Sequence, residues 1–168
     1  MGLVSDWLTT LGGASGLAEF PELCGAEGDM VKRCINLEDK KKFLNLMQGY
    51  EKTANFFDTT IADNPSFGNI ADGLITDAIK STGAAKKGGR APIVSVCDYA
   101  EPMPDSGLSL VCTPGNDVDA VTGLVAAGCN VVIFSTGLGT PTGNPIVPVL
   151  KISTNLSLIH ISEPTRPY

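Results

Sequence analysis

The feature that most limits what this chain can fold into is the alternation in its last third. Ile93-Val-Ser-Val-Cys97 and Leu108-Ser-Leu-Val-Cys112 are short apolar, β-branched runs that read as strands. Val118–Ala127 carries apolar residues at helical spacing and is closed by Gly128. Val131–Phe134 and Val147–Ile152 return to strand. Strands joined through a helix and short Gly- or Pro-bearing turns run parallel, with helices over the sheet faces.

The expected fold class is therefore α/β: a mostly parallel, Rossmann-like sheet with covering helices, truncated in this chain. Upstream, Ser5–Leu11 reads as the end of a helix closed by Gly12-Gly13, and Gly16–Phe20 as a short strand leading into Pro21-Glu22. Asn36 is a natural N-cap, with Glu38 and Asp39 in the first turn where the helix dipole favours carboxylates. Phe43, Leu46, Met47, Tyr50, Ala54 and Phe57 follow at helical spacing and are expected in the core, with Lys40-Lys41-Lys42 mostly on the wet side. Asp58–Asn69 reads as irregular, Ile70–Thr82 as a helix ending at Gly83, and Ala84–Arg90 as a basic, Gly-rich surface turn.

Composition narrows the function classes. The net charge is −6, and the Lys and Arg residues are scattered, which disfavours nucleic acid as a partner. No apolar run is long enough to span a bilayer, so no membrane partner is expected. The five cysteines are odd in number and none forms a C-x-x-C pair. That pattern points to reduced, buried thiols and a cytoplasmic protein.

In parallel sheets ligands bind at the carboxyl ends of the strands. Two loops fall there. Thr113-Pro-Gly-Asn-Asp117 leads straight into a helix, with Asn116 or Asp117 as its N-cap and free N–H groups facing the opening. Ser135–Gly143 is rich in glycine and hydroxyls, but Gly137, Gly139 and Gly143 make G-x-G-x-x-x-G rather than a dinucleotide fingerprint. Pro141 and Pro145 also hinder a helix from opening there. A backbone-lined pocket for a small polar ligand fits better, with Thr136 or Thr140 as donors. Asn64–Gly73 is a third polar loop, and Glu19 and Glu22 leave the first strand close together as a source of a carboxylate base or metal ligand.

Taken in order, several motifs resemble the altronate/galactarate dehydratase family. They are Pro21-Glu-x-x-Gly-Ala-Glu27, Asn64-Pro-Ser-x-Gly-Asn69…Gly73, Tyr99-Ala-Glu-Pro102, Thr113-Pro-Gly-x-Asp117…Thr122-Gly123, and Thr136-Gly-x-Gly139 followed by Val147-Pro-x-x-Lys151. The resemblance covers nearly all of residues 1–155 and implies the family's carboxy-terminal half. It implies a hydro-lyase that removes water from a sugar acid, altronate or a related hexonate or aldarate, to give a 2-keto-3-deoxy acid. It also implies Fe²⁺ or another divalent metal such as Mn²⁺, with no ligand set assigned. Asp117 and then Glu22 are the expected catalytic acids or bases, and Lys151 could meet a carboxylate. Asn64, Asn69, Thr113, Asn116, Thr122 and Thr136, with the backbone at Gly137 and Gly139, are the expected substrate contacts.

The departures bear on substrate. Many relatives read Thr-Gly-Arg-Gly where this chain has Leu138, which removes a natural fork for a substrate carboxylate. Phe67-Gly-Asn-Ile70-Ala-Asp72-Gly73 lacks a family Lys and Gly, and Cys112 stands where some relatives have Asp. Two alternatives follow: a related lyase acting on another 2-hydroxy acid, such as a sulfonated one, or a non-catalytic small-ligand binding domain. As a partial catalytic region the chain is expected to be inactive alone, to pair with an N-terminal domain of the same polypeptide, and to form a homo-oligomer when complete.

Residues 156–168, Leu-Ser-Leu-Ile-His-Ile-Ser-Glu-Pro-Thr-Arg-Pro-Tyr, resemble the translation of the transposase mosaic end and adapter used in building sequencing libraries. They hold the only histidine, His160. The expected division is therefore residues 1–155 as the partial catalytic region and 156–168 as a non-native tail, which leaves no imidazole for a triad or zinc site.

Overall fold

The computed structural model describes residues 1–63, 77–137 and 139–153. The expectations for Asn64, Asn69, the start of the Ile70 helix, Leu138 and the 156–168 tail lie outside the described residues.

The chain opens on helix α1 (Gly2–Thr10), which Gly12-Gly13 closes as expected. Strand β1 (Ala14–Leu17) follows, then a 3₁₀ turn over Phe20–Leu23. The expected strand over Gly16–Phe20 is therefore corrected: Glu19 takes a left-handed backbone, φ 66°, which ends the strand before Phe20. A short helix α2 (Glu27–Arg33) was not foreseen; only Met30 in it is fully buried. Helix α3 (Leu37–Phe56) begins as read from sequence, with the Asn36 side chain accepting from the Asp39 N–H at 2.7 Å. Its Phe43 and Met47 are buried, and Phe43 meets Phe20 edge to face at 5.3 Å. Phe57 is the exception, 70% exposed just beyond the helix end.

Helix α4 (Asp77–Lys87) runs through Gly83 and buries Ala84 and Ala85. The expected surface loop over Ala84–Arg90 is thus mostly helix, and its end is tied down. Asp6 accepts from the N–H groups of Arg90 and Ala91, and buried Ser5 donates to Gly88 O. The remaining elements are β2 (Ile93–Cys97), β3 (Gly107–Val111), α5 (Asp117–Ala126), β4 (Val132–Ser135) and β5 (Val149–Ile152), each within two residues of its expected bounds.

Every strand pairing is parallel, but the strands form two sheets rather than one. One is three-stranded in the order β1-β3-β2; the other pairs β4 with β5. In the first, Ile93, Val96, Leu108, Leu110 and Val111 are at most 1% exposed. Successive strand residues point to opposite faces. On β1, a Cβ on Gly16 would lie 3.2 Å from Leu124 of α5, so α5 covers that face closely. Its neighbour Leu17 packs against Gly88 beyond α4, and Ser15 bonds Ser5 of α1 at 2.8 Å, so α1 and α4 cover the other. Gly128, at φ 109°, closes the α5 end where a side chain would be strained.

Candidate functional site

The carboxyl ends of β1 and β3 meet through one strap. The Glu19 N–H donates to Thr113 Oγ1 at 2.8 Å, and the Phe20 N–H donates to Thr113 O at 3.1 Å. Thr113 is wholly buried, so it acts as the buckle of the strap. The strap holds Glu19 in its left-handed conformation, which costs a non-glycine residue about 1–2 kcal/mol.

Two lysines of α4 face this turn. Lys80 and Lys87 are seven residues apart, about two helical turns, and so share one face. Lys80 Nζ lies 2.9 Å from Glu22 Oε2, and Lys87 Nζ lies 3.7 Å from Glu19 Oε2. The two carboxylate side chains are only 15% and 19% exposed. Burial pushes the Glu19 carboxyl above its ordinary value; Lys87 opposes the rise, while the negative charges of Glu22 and Asp117 add to it. Carboxyls placed this way can take or give a proton, and the two ammonium groups beside them can bind an anion.

Asp117, the first residue of α5, accepts a short hydrogen bond from Thr140 Oγ1 in the loop after β4. That bond brings the second sheet's loop to the first sheet's acids. A cavity of about 80 Å³ opens here, lined by Glu19, Lys87, Phe134 and Ser135. At the end of β2, Lys42 of α3 meets Glu101 at 2.6 Å, and the Tyr99 hydroxyl donates to Asp119 O. Cys112 donates from its Sγ to Tyr50 Oη at 3.7 Å, and burial raises both pKa values, so these groups stay protonated.

The expected site residues divide. Asp117, Glu22 and Thr113 come together, with Asn116 beside them as the α5 cap accepting from the Val118 N–H. Thr136 lies on the loop after β4, where its Oγ1 accepts from Gly139 N–H at 2.9 Å; Gly137 and Gly139 are exposed there. Thr122 is exposed and bonded to Val118 O within its own helix. Lys151 is exposed on β5, opposite Phe134. Asn64 and Asn69 lie outside the described residues. Sequence reading paired Glu19 with Glu22 but passed over Lys80 and Lys87, whose seven-residue spacing was the available signal. Among the described residues, no three His, Cys, Asp or Glu side chains gather as a set for a metal ion. All five cysteines are free.

The family profile described as "D-galactarate/Altronate dehydratase, C-terminal" matches residues 1–164. The altronate dehydratase of Bacillus subtilis (strain 168) is 40% identical over 158 residues, which is 94% of this chain and 32% of that protein. The galactarate dehydratase (L-threo-forming) of Escherichia coli (strain K12) is 34% identical over 94% of this chain and 30% of its own length. The (2R)-sulfolactate sulfo-lyase subunit beta of Chromohalobacter salexigens is 32% identical over 82% of this chain and 36% of its own length. The chain therefore spans about a third of the length of these relatives.

Proposed function

Because the chain belongs to the D-galactarate/altronate dehydratase C-terminal family, we propose that it forms part of a hydro-lyase converting a sugar acid, altronate or a related hexonate or aldarate, into a 2-keto-3-deoxy acid. The observation that carries this reading is the cluster at the ends of β1 and β3: buried Glu19 with its raised pKa, Glu22, Asp117 and the two α4 lysines. Dehydration takes a proton from the carbon beside the carboxylate and expels the neighbouring hydroxyl as water; the enol left behind becomes the ketone. Asp117 or Glu22, as a carboxylate, suits the proton abstraction. Glu19, whose burial favours the protonated form relative to a surface carboxyl, suits protonation of the departing hydroxyl. Lys87 at this opening, and Lys80 beside it on Glu22, are the cations proposed for the substrate carboxylate, while Lys151 stands exposed on β5. Asn116 at the α5 cap, and Thr136 with the Gly137 and Gly139 backbone on the loop after β4, would supply polar contacts to the substrate.

A divalent metal such as Fe²⁺ or Mn²⁺ would polarise the substrate carboxylate when bound. The described residues supply no set of ligands for it, and none of the proton transfers above runs through it.

The complete gene product, incubated with a panel of aldonates and aldarates, should release a 2-keto acid detectable as its semicarbazone. Replacing Asp117 with Asn or Glu22 with Gln should lower kcat/KM by about 10²-fold or more. No keto product from any aldonate or aldarate removes the reading. The likeness to a sulfo-lyase subunit favours one alternative, in which the group expelled is sulfite from a sulfonated 2-hydroxy acid. Sulfite release without water elimination would select it. Binding of a sugar acid with no turnover would leave a non-catalytic binding domain.

A further inference from the structure

The two sheets face each other across a slot. β1 pairs with β3 along one edge and β4 with β5 along one edge; among the described residues neither has a strand on its other edge. Those open edges line the same two cavities. At the carboxyl end, β1 residues up to Leu17 face Ile133–Ser135; at the amino end, Ala14–Gly16 faces Val131–Ile133 across about 700 Å³. The strands thus run the same way along the slot. Leu124 of α5 lines one face of it, and Val4 and Leu8 of α1 the other. Strand edges on two sides and apolar helices on the other two are the surroundings of a central parallel strand. Two bare edges side by side are also a liability that folds avoid.

We infer that a further parallel strand, X, from polypeptide of the kind the relatives carry outside the matched third, fills this slot. It joins the sheets into one, in the order β2-β3-β1-X-β4-β5. Met1 lines both cavities, so polypeptide entering α1 starts from the slot itself. α1 is then the crossover helix from X to β1. That step moves toward β2, whereas β3 to β4 through α5 moves the opposite way. Right-handed crossovers in opposite directions put their helices on opposite faces, and α1 and α5 lie on opposite faces of β1. A second copy of the chain has no such continuity with α1. Covered on both faces, X is of similar length to its four-residue neighbours and reads as an unbroken Val, Ile or Leu run rather than an alternating one.

Hydrogen–deuterium exchange on the complete gene product tests this. The amides of residues 14–17 and 132–135 that face the open edges, not those already bonded to β3 or β5, should exchange roughly a hundredfold more slowly than in the 168-residue chain alone, at every protein concentration. Where the shorter chain does not fold, the complete protein decides: slow exchange at both edges supports X, and fast exchange overturns it. Protection that grows with concentration assigns the slot to a second copy and overturns the proposal. Equal protection in a monomeric 168-residue chain does so too, as does a gene with no reading frame upstream of Met1.

Discussion

The β1-β3-β2 sheet and the β4-β5 pair are built from similar sequence and meet different fates. Gly107-Leu-Ser-Leu-Val111 and Val149-Leu-Lys-Ile152 are both short, β-prone and apolar at most positions. In the first, Leu108 and Leu110 are at most 1% exposed; in the second, Leu150 and Ile152 are 54% and 45% exposed. The difference lies in cover. Helices α1, α3 and α4 and the Phe20–Leu23 turn close over one side of the first sheet, and α5 over the other, whereas β5 is left largely bare. A strand's propensity sets its backbone, and its neighbours set what burying it is worth.

The contrast breaks most sharply by deleting a core side chain. Leu110→Ala should cost about 2–5 kcal/mol, because the surrounding helices cannot collapse into the cavity, and a shift in the urea midpoint measures it. Next, Gly123→Ala puts a Cβ 2.7 Å from Thr113 Cγ2 and 2.8 Å from Tyr99 Cε2. Overpacking there should cost about 1–3 kcal/mol and loosen the strap onto Glu19. Asn36→Ala removes the cap of α3, a covering helix, and should lower stability by about 1 kcal/mol in thermal melts.

A smaller effect depends on pH. Burial raises the folded Glu19 pKa above its ordinary 4.5, so between 4.5 and that raised value the folded state binds more protons than the unfolded one. Stability should therefore fall as pH climbs through that window and level off above it. Glu19→Gln should flatten the fall, read as the difference between urea midpoints at pH 4 and pH 7. Least of all, Leu150→Ala should move stability by no more than about 0.5 kcal/mol, since the residue already faces solvent. A larger loss would show that β5 is covered in solution and the contrast would narrow.

What sequence could say followed the same divide. β2, β3, α3 and α5 were legible because their periodicity and caps act locally: Asn36 and Asn116 each cap the helix their position announced. Helix α2 was missed because seven residues with one fully buried side chain carry almost no period. The Ala84–Arg90 turn misled because its glycines and lysines look like a loop, while Ala84 and Ala85 are buried by distant partners. The division into two sheets was illegible, since a strand's pattern does not say what lies beside it. For the site, Asp117 and Glu22 stood out as acids near strand ends. Glu19 was paired with Glu22 but not ranked with them, because its weight comes from burial and a backbone angle that no letter of the sequence announces.

That backbone angle also shapes how the gene can drift. Glycine at position 19 would adopt φ 66° without steric cost, so a library screened for heat resistance alone should enrich Glu19→Gly. A library screened for growth on the substrate should retain the glutamate, if the carboxyl does the work assigned to it. The left-handed Glu19 is then a place where the two selections pull apart, and sequencing both pools at this one codon would show how far.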